Sequence, residues 1–117
     1  MANELTVSLG LTYAKGGVSE DINLSKQADI ATGRATKASQ VVGTTEESFA
    51  LVDVASARYV VVQNLDATNF VQVGTATGAY SVKLLAGDIA LFPPNANALF
   101  LKADTAACLV SVMVVGA

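Results

Sequence analysis

From Arg58 onward the chain is a series of short apolar runs, each closed by turn-forming residues, and this rhythm leaves little room for anything but β-structure. The runs are Arg58 to Asn64, Asn69 to Val73, Tyr80 to Leu85, Ile89 to Phe92, Leu99 to Ala103 and Ala107 to Val115, all rich in β-branched and aromatic residues. Between them stand Leu65-Asp66-Ala67-Thr68, Gly74 to Gly78, Gly87-Asp88, Pro93-Pro94-Asn95-Ala96-Asn97 and Asp104-Thr105. Asp and Asn in such places cap their own backbone, and Gly supplies positive φ. A strand about every ten residues is the spacing of an antiparallel sandwich or barrel. Pro93-Pro94 cannot sit in a central strand or a helix interior, so it reads as a stiff corner.

The N-terminal half carries the same signal more thinly. Leu5, Val7, Leu9, Leu11 and Tyr13 interleave with Glu4, Thr6, Ser8, Gly10 and Thr12, which predicts a long extended strand or arm. Lys15-Gly16-Gly17 interrupts it, and Ile22 with Leu24 marks a shorter second strand before the polar stretch Ser25 to Lys37. Between Ala35 and Val54 the pattern favours strand, loop, strand; a helical turn over Glu46 to Leu51 is the alternative, with a weak capping-box arrangement at Thr44-Thr45-Glu46-Glu47. With 117 residues and no repeat, the chain is one β-sandwich domain over 18–117 with residues 1–17 as an extended arm.

The last strand is apolar on both sides. Cys108, Val110, Val112 and Val114 face one way, and Leu109, Met113 and Val115 the other, with only Ser111 polar between them. A two-layer sandwich buries one side of each sheet, so an N-terminal strand or another subunit must cover the second. Composition agrees: 52% of the residues are hydrophobic and 15% charged, too apolar for a disordered chain.

The same composition narrows the chemistry. Histidine is absent, which removes the commonest general base and any Ser-His-Asp or Cys-His triad within one chain. A formal charge of −3, with the seven bases spread along the chain, argues against a nucleic-acid or membrane-surface partner. The single Cys108 permits no internal disulfide and, mid-strand among apolar neighbours, reads as an inert thiol of a reducing cytoplasm. Met1 to Tyr13 lacks the continuous apolar stretch of an export signal.

Asp66, Asp88 and Asp104 read as turn formers. A sharper reading makes Asn64, Asp66 and Asn69 oxygen ligands for Ca²⁺, although their spacing is not that of an EF-hand. Glu46 and Glu47 are adjacent and diverge in a strand; Gly74 to Gly78 lacks a P-loop lysine and leads into a strand, so it reads as a hairpin loop. No cofactor, metal site or catalytic residue is expected. With seven aromatics and no tryptophan, the chain offers little for stacking on sugars, which leaves a lectin-like module as the binding-class alternative.

Three segments carry a resemblance: Arg58 to Gly74 (RYVVVQNLDATNFVQVG), Leu84 to Pro93 (LLAGDIALFP) and Leu101 to Cys108 (LKADTAAC). Together they resemble small β-sandwich virion proteins from the structural modules of tailed bacteriophages, over about the last sixty residues. The resemblance implies a non-enzymatic role as a capsid decoration (cement) protein or a neck or tail component. Its partners would be the major capsid protein or other virion proteins and further copies of itself, in a virion made in the host bacterial cytoplasm. In such proteins an extended terminal arm docks on neighbouring subunits by strand addition. The expectation is therefore an all-β, antiparallel, jelly-roll-like sandwich of about eight strands. The interface candidates are Leu5, Val7, Leu9 and Leu11 on the arm and Leu109, Met113 and Val115 on the last strand.

Overall fold

A computed structural model describes residues 5–29, 35–50, 57–94 and 98–116, and every regular element among them is a β-strand. Two compact units result, residues 1–31 and 32–117.

In the first unit β1 (Leu5–Lys15) pairs antiparallel with β2 (Val18–Ala28), each 11 residues long. Gly16 and Gly17 join them at φ 60° and 82°, the pair of left-handed residues that a two-residue type I′ turn requires. This differs from the expected arm of residues 1–17 and from a short second strand. The apolar signal in β2 is confined to Ile22 and Leu24 because Glu20 and Lys26 occupy two of its apolar-face positions. Pairing with β1 fixes the strand's length, a constraint that β2 alone does not display.

The second unit is a sandwich of two four-stranded sheets in the orders β3-β10-β5-β8 and β4-β9-β6-β7. Its strands are β3 (Ala35–Val42), β4 (Glu47–Ala50), β5 (Ala57–Asn64), β6 (Val71–Gly74), β7 (Val82–Leu84), β8 (Ile89–Phe92), β9 (Ala98–Ala103) and β10 (Cys108–Gly116). The pairings are nested: β3 with β10, β4 with β9, β5 with β8, β6 with β7. A long antiparallel ribbon with that nesting, rolled so that β10 also meets β5 and β9 also meets β6, is a jelly roll. The expected sandwich of about eight strands is thus found, and Glu47 to Ala50 is strand and not a helical turn. Leu51 to Val54 and the end of the proline corner, Asn95 to Asn97, lie outside the described residues.

Alternation explains the core. Val60 and Val62 of β5, Val110, Val112 and Val114 of β10, Leu99 and Leu101 of β9, and Val71 and Val73 of β6 are all fully buried between the sheets. Phe49, Val82, Ala90 and Phe92 complete the packing from the outer strands. Branched valines dominate because they fit a pleated surface with little rotamer entropy to lose. Replacing Leu101 by Ala leaves a void that neighbouring β-strands cannot close. The expected loss, measured by denaturant unfolding, is about 2–5 kcal/mol.

Candidate functional site

The polar residues singled out in the sequence build turns. Asn64, at the end of β5, is fully buried. Its Nδ2 donates to the carbonyls of Asn69 (2.9 Å), Leu84 (3.0 Å) and Leu85 (3.2 Å), and its Oδ1 accepts from the N–H of Asp66 at 2.9 Å. Asp66 Oδ2 accepts from the N–H groups of Thr68 (2.9 Å) and Asn69 (2.6 Å). Asn69 Oδ1 accepts from the hydroxyl of Thr105 at 2.8 Å. The three residues read as a Ca²⁺ site therefore aim their oxygens at protein donors. They tie the β5–β6 turn to the end of β7 and to the β9–β10 connection.

Asp88 acts in the same way, its Oδ2 accepting from the N–H of Leu85 at 3.0 Å while Gly87 takes φ 82°. Glu46 and Glu47 diverge as expected. Glu46 Oε1 accepts from the Tyr80 hydroxyl and, at 2.8 Å, from the N–H of Gly78, whereas Glu47 accepts from the N–H of Gly43 (2.7 Å) and from Gln40 Nε2 (3.2 Å). The Gly74 to Gly78 loop is a closed turn with a carboxylate already on its Gly78 N–H. Gly74 itself admits no side chain, since an added Cβ would lie 1.9 Å from the Ala79 carbonyl oxygen. Cys108 is buried, and desolvation raises its thiol pKa, so its chemistry is that of a small hydrophobe.

The apolar surfaces are more telling. Directly opposite residues in an antiparallel pair share a face. In the hairpin this places Leu5, Val7, Leu9, Leu11, Tyr13 and Lys15 with Val18, Glu20, Ile22, Leu24, Lys26 and Ala28 on one face, mostly apolar, and Thr6, Ser8, Gly10 and Thr12 with Asp21, Asn23, Ser25 and Gln27 on the other. Leu11 is 66% exposed and Leu24 55%. On the sandwich the outward residues of β10 are Leu109, Ser111, Met113 and Val115. Leu109 lies beside Val41, and Met113 beside Lys37 and Val61; Val61 in turn lies beside Leu91, and Gln63 beside Ile89. Val41 and Ile89 are 60% and 70% exposed. The outer face of the β4-β9-β6-β7 sheet carries the polar row Lys102, Gln72 and Lys83 instead. Among the described residues the larger share of exposed apolar side chains on the jelly roll lies on the β3-β10-β5-β8 sheet.

The seven interface candidates thus fall on two surfaces, Leu5, Val7, Leu9 and Leu11 on the hairpin face and Leu109, Met113 and Val115 on the sheet face. Sequence reasoning did not anticipate Val41, Val61, Ile89 and Leu91, because their place on the sheet face they share with β10 follows from sheet order. The Glu46–Tyr80 contact was equally hidden, joining residues 34 apart. No family model, curated protein or solved structure matches the chain.

Two outcomes follow from the turn network. Asn64→Ala removes the amide donor from the carbonyls of Asn69, Leu84 and Leu85 and the acceptor from the Asp66 N–H, leaving Leu85 only its bond from the Asp88 N–H, a loss of about 2 kcal/mol in chemical unfolding. Asn64→Asp is worse at neutral pH, because a buried carboxylate then faces carbonyl oxygens, and it recovers in part on acidification. The second outcome concerns acid stability. Asp66 is held below the ordinary aspartate value, first by the Asn69 N–H and then by the Thr68 N–H, and Glu46 below the ordinary glutamate value, first by the Tyr80 hydroxyl. A lowered folded pKa gives stabilisation that is complete above the ordinary values of 3.8 and 4.5 and is lost as pH falls through the folded ones. Asp66→Asn keeps an acceptor oxygen and removes one of these titrations. The decline of unfolding free energy in this acid range should become shallower than in the parent protein; an unchanged slope would show that Asp66 contributes nothing to it.

Proposed function

We propose that the protein is a non-enzymatic structural component of a tailed-phage virion, a capsid decoration (cement) protein that binds the assembled shell and stabilises it. The observation that carries the reading is a β-hairpin with one apolar face and open edges, on the same chain as a jelly roll whose outer sheet face is also apolar. Jelly rolls serve in viral capsids and in lectins, so the fold alone assigns neither role. The resemblance of Arg58 to Gly74, Leu84 to Pro93 and Leu101 to Cys108 to phage virion proteins favours the first, and the absence of histidine speaks against catalysis.

Adhesion needs no cofactor. Each strand of the hairpin uses one edge for its partner, and among the described residues no strand pairs with the other edge of either, which suits it to accept a strand of a shell protein. Many copies, each making a modest contact, then reinforce a shell through multivalency. A neck or tail position is the alternative within the same class. A lectin-like module is the alternative outside it, and the groove lined by Val73, Thr75, Ser81, Phe92, Pro93 and Pro94 is where a ligand of that kind would sit.

Sedimentation with phage particles stripped of the protein separates these readings. Saturable binding that raises the particles' heat resistance, with density on the shell in electron micrographs, is the expected result. Removal of residues 2–28 should abolish it. Density at the neck or tail would move the protein there, and retention on a glycan array without particle binding would replace the structural role by a lectin role.

A further inference from the structure

We propose that the apolar face of the β1–β2 hairpin of one copy docks on the apolar outer face of the β3-β10-β5-β8 sheet of a second copy. The inference deepens the assembly reading above by naming a partner, and it is tested on purified protein alone, so that it and shell binding fail separately.

The hairpin needs a cover. Two strands by themselves are marginal in water, and independent stability takes a third strand or packing of the apolar face. That face places Leu9 against Leu24 and Leu11 against Ile22, all at least 46% exposed. The sheet face needs a cover as well, since Val41, Leu109, Met113 and Ile89 present their side chains to solvent while Val61 and Leu91 lie half-buried among them. Each patch is comparable to the largest that a soluble monomer ordinarily leaves open, and this chain carries two.

Area selects the occupant. The hairpin face is two strands wide and 11 residues long, about 350 Å² at the usual strand rise and spacing. The sheet face is four strands wide, with β10 outward from Leu109 to Val115, about 400 Å² on the same basis. The hairpin is longer than the sheet face, so the two overlap over about two strands by eight residues, about 250 Å², and one hairpin on one sheet buries about 500 Å² in all, below the roughly 1,000 Å² of a specific interface. Two copies that exchange hairpins bury about 1,000 Å², which reaches that threshold. A partner that covers one face leaves the other open; a second copy closes both at once, with the two-fold reciprocity that homodimers use.

The test is the solution mass of the full chain by light scattering at micromolar concentration. The expected mass is that of two or more copies. Leu11→Asp on the hairpin and Met113→Asp on the sheet should each weaken association at least tenfold, while Cys108 stays closed to thiol reagents as proof that the sandwich is folded. Leu24→Asp and Val41→Asp replace either variant that fails this control. Differently tagged Leu11→Cys and Met113→Cys chains, mixed and treated with a short bis-maleimide, should give mainly mixed-tag adducts. A monomeric parent protein overturns the proposal. So does association lost in only one of the two surface variants, or cross-linking chiefly between chains of the same tag.

Discussion

The sandwich closes on β10. This strand is hydrogen-bonded along both edges, to β3 on one side and β5 on the other, and sends Val110, Val112 and Val114 into the core. Because side chains alternate across a pleat, filling the core with every second residue obliges the remaining ones to face outward. In β10 those are Leu109, Met113 and Val115, and the exposed apolar sheet is the direct geometric counterpart of the core. Shifting the strand by one residue would send these three inward and expose the valines. The core and the outer surface are therefore specified by a single register.

Nesting adds a second constraint. The first strand of the sandwich pairs with the last, so each sheet is complete only when distant segments have met. Long-range pairing of this kind carries a large loop-closure cost before any contact rewards it. The polar network around Asn64 is well placed to offset that cost. It joins the ends of β5 and β7 and the β5–β6 turn through one buried amide, at the rim where the ribbon turns over. Hydrogen bonds buried from water are costly to leave half made, so the arrangement favours one closed form over near alternatives.

The outer surfaces divide the labour. The row Lys102, Gln72 and Lys83 keeps one sheet wet, with Lys83 lying over the Phe70 ring at 4.2 Å and shielding it. The opposite sheet and the hairpin expose leucine, isoleucine and valine instead.

Much of this was legible in the amino-acid sequence, and the reason is local. Strands β5 to β10 were readable because β-branched runs and turn residues act over a few neighbours, and the two-faced β10 because its alternation lies within one segment. The turn-forming roles of Asp66 and Asp88 were readable for the same reason. The length of β2 was not, since its apolar face is completed by β1 across the hairpin. Nor was the burial of Asn64, or the gathering of Val41, Val61, Leu91 and Ile89 on one sheet face with the outward residues of β10. Sequence by itself determined which segments are strands and which residues share a strand face, because pleat and turn chemistry are short-range. Which strands become neighbours, and hence which apolar residues merge into one surface, was decided only by the rolled pairing of segments far apart in the chain.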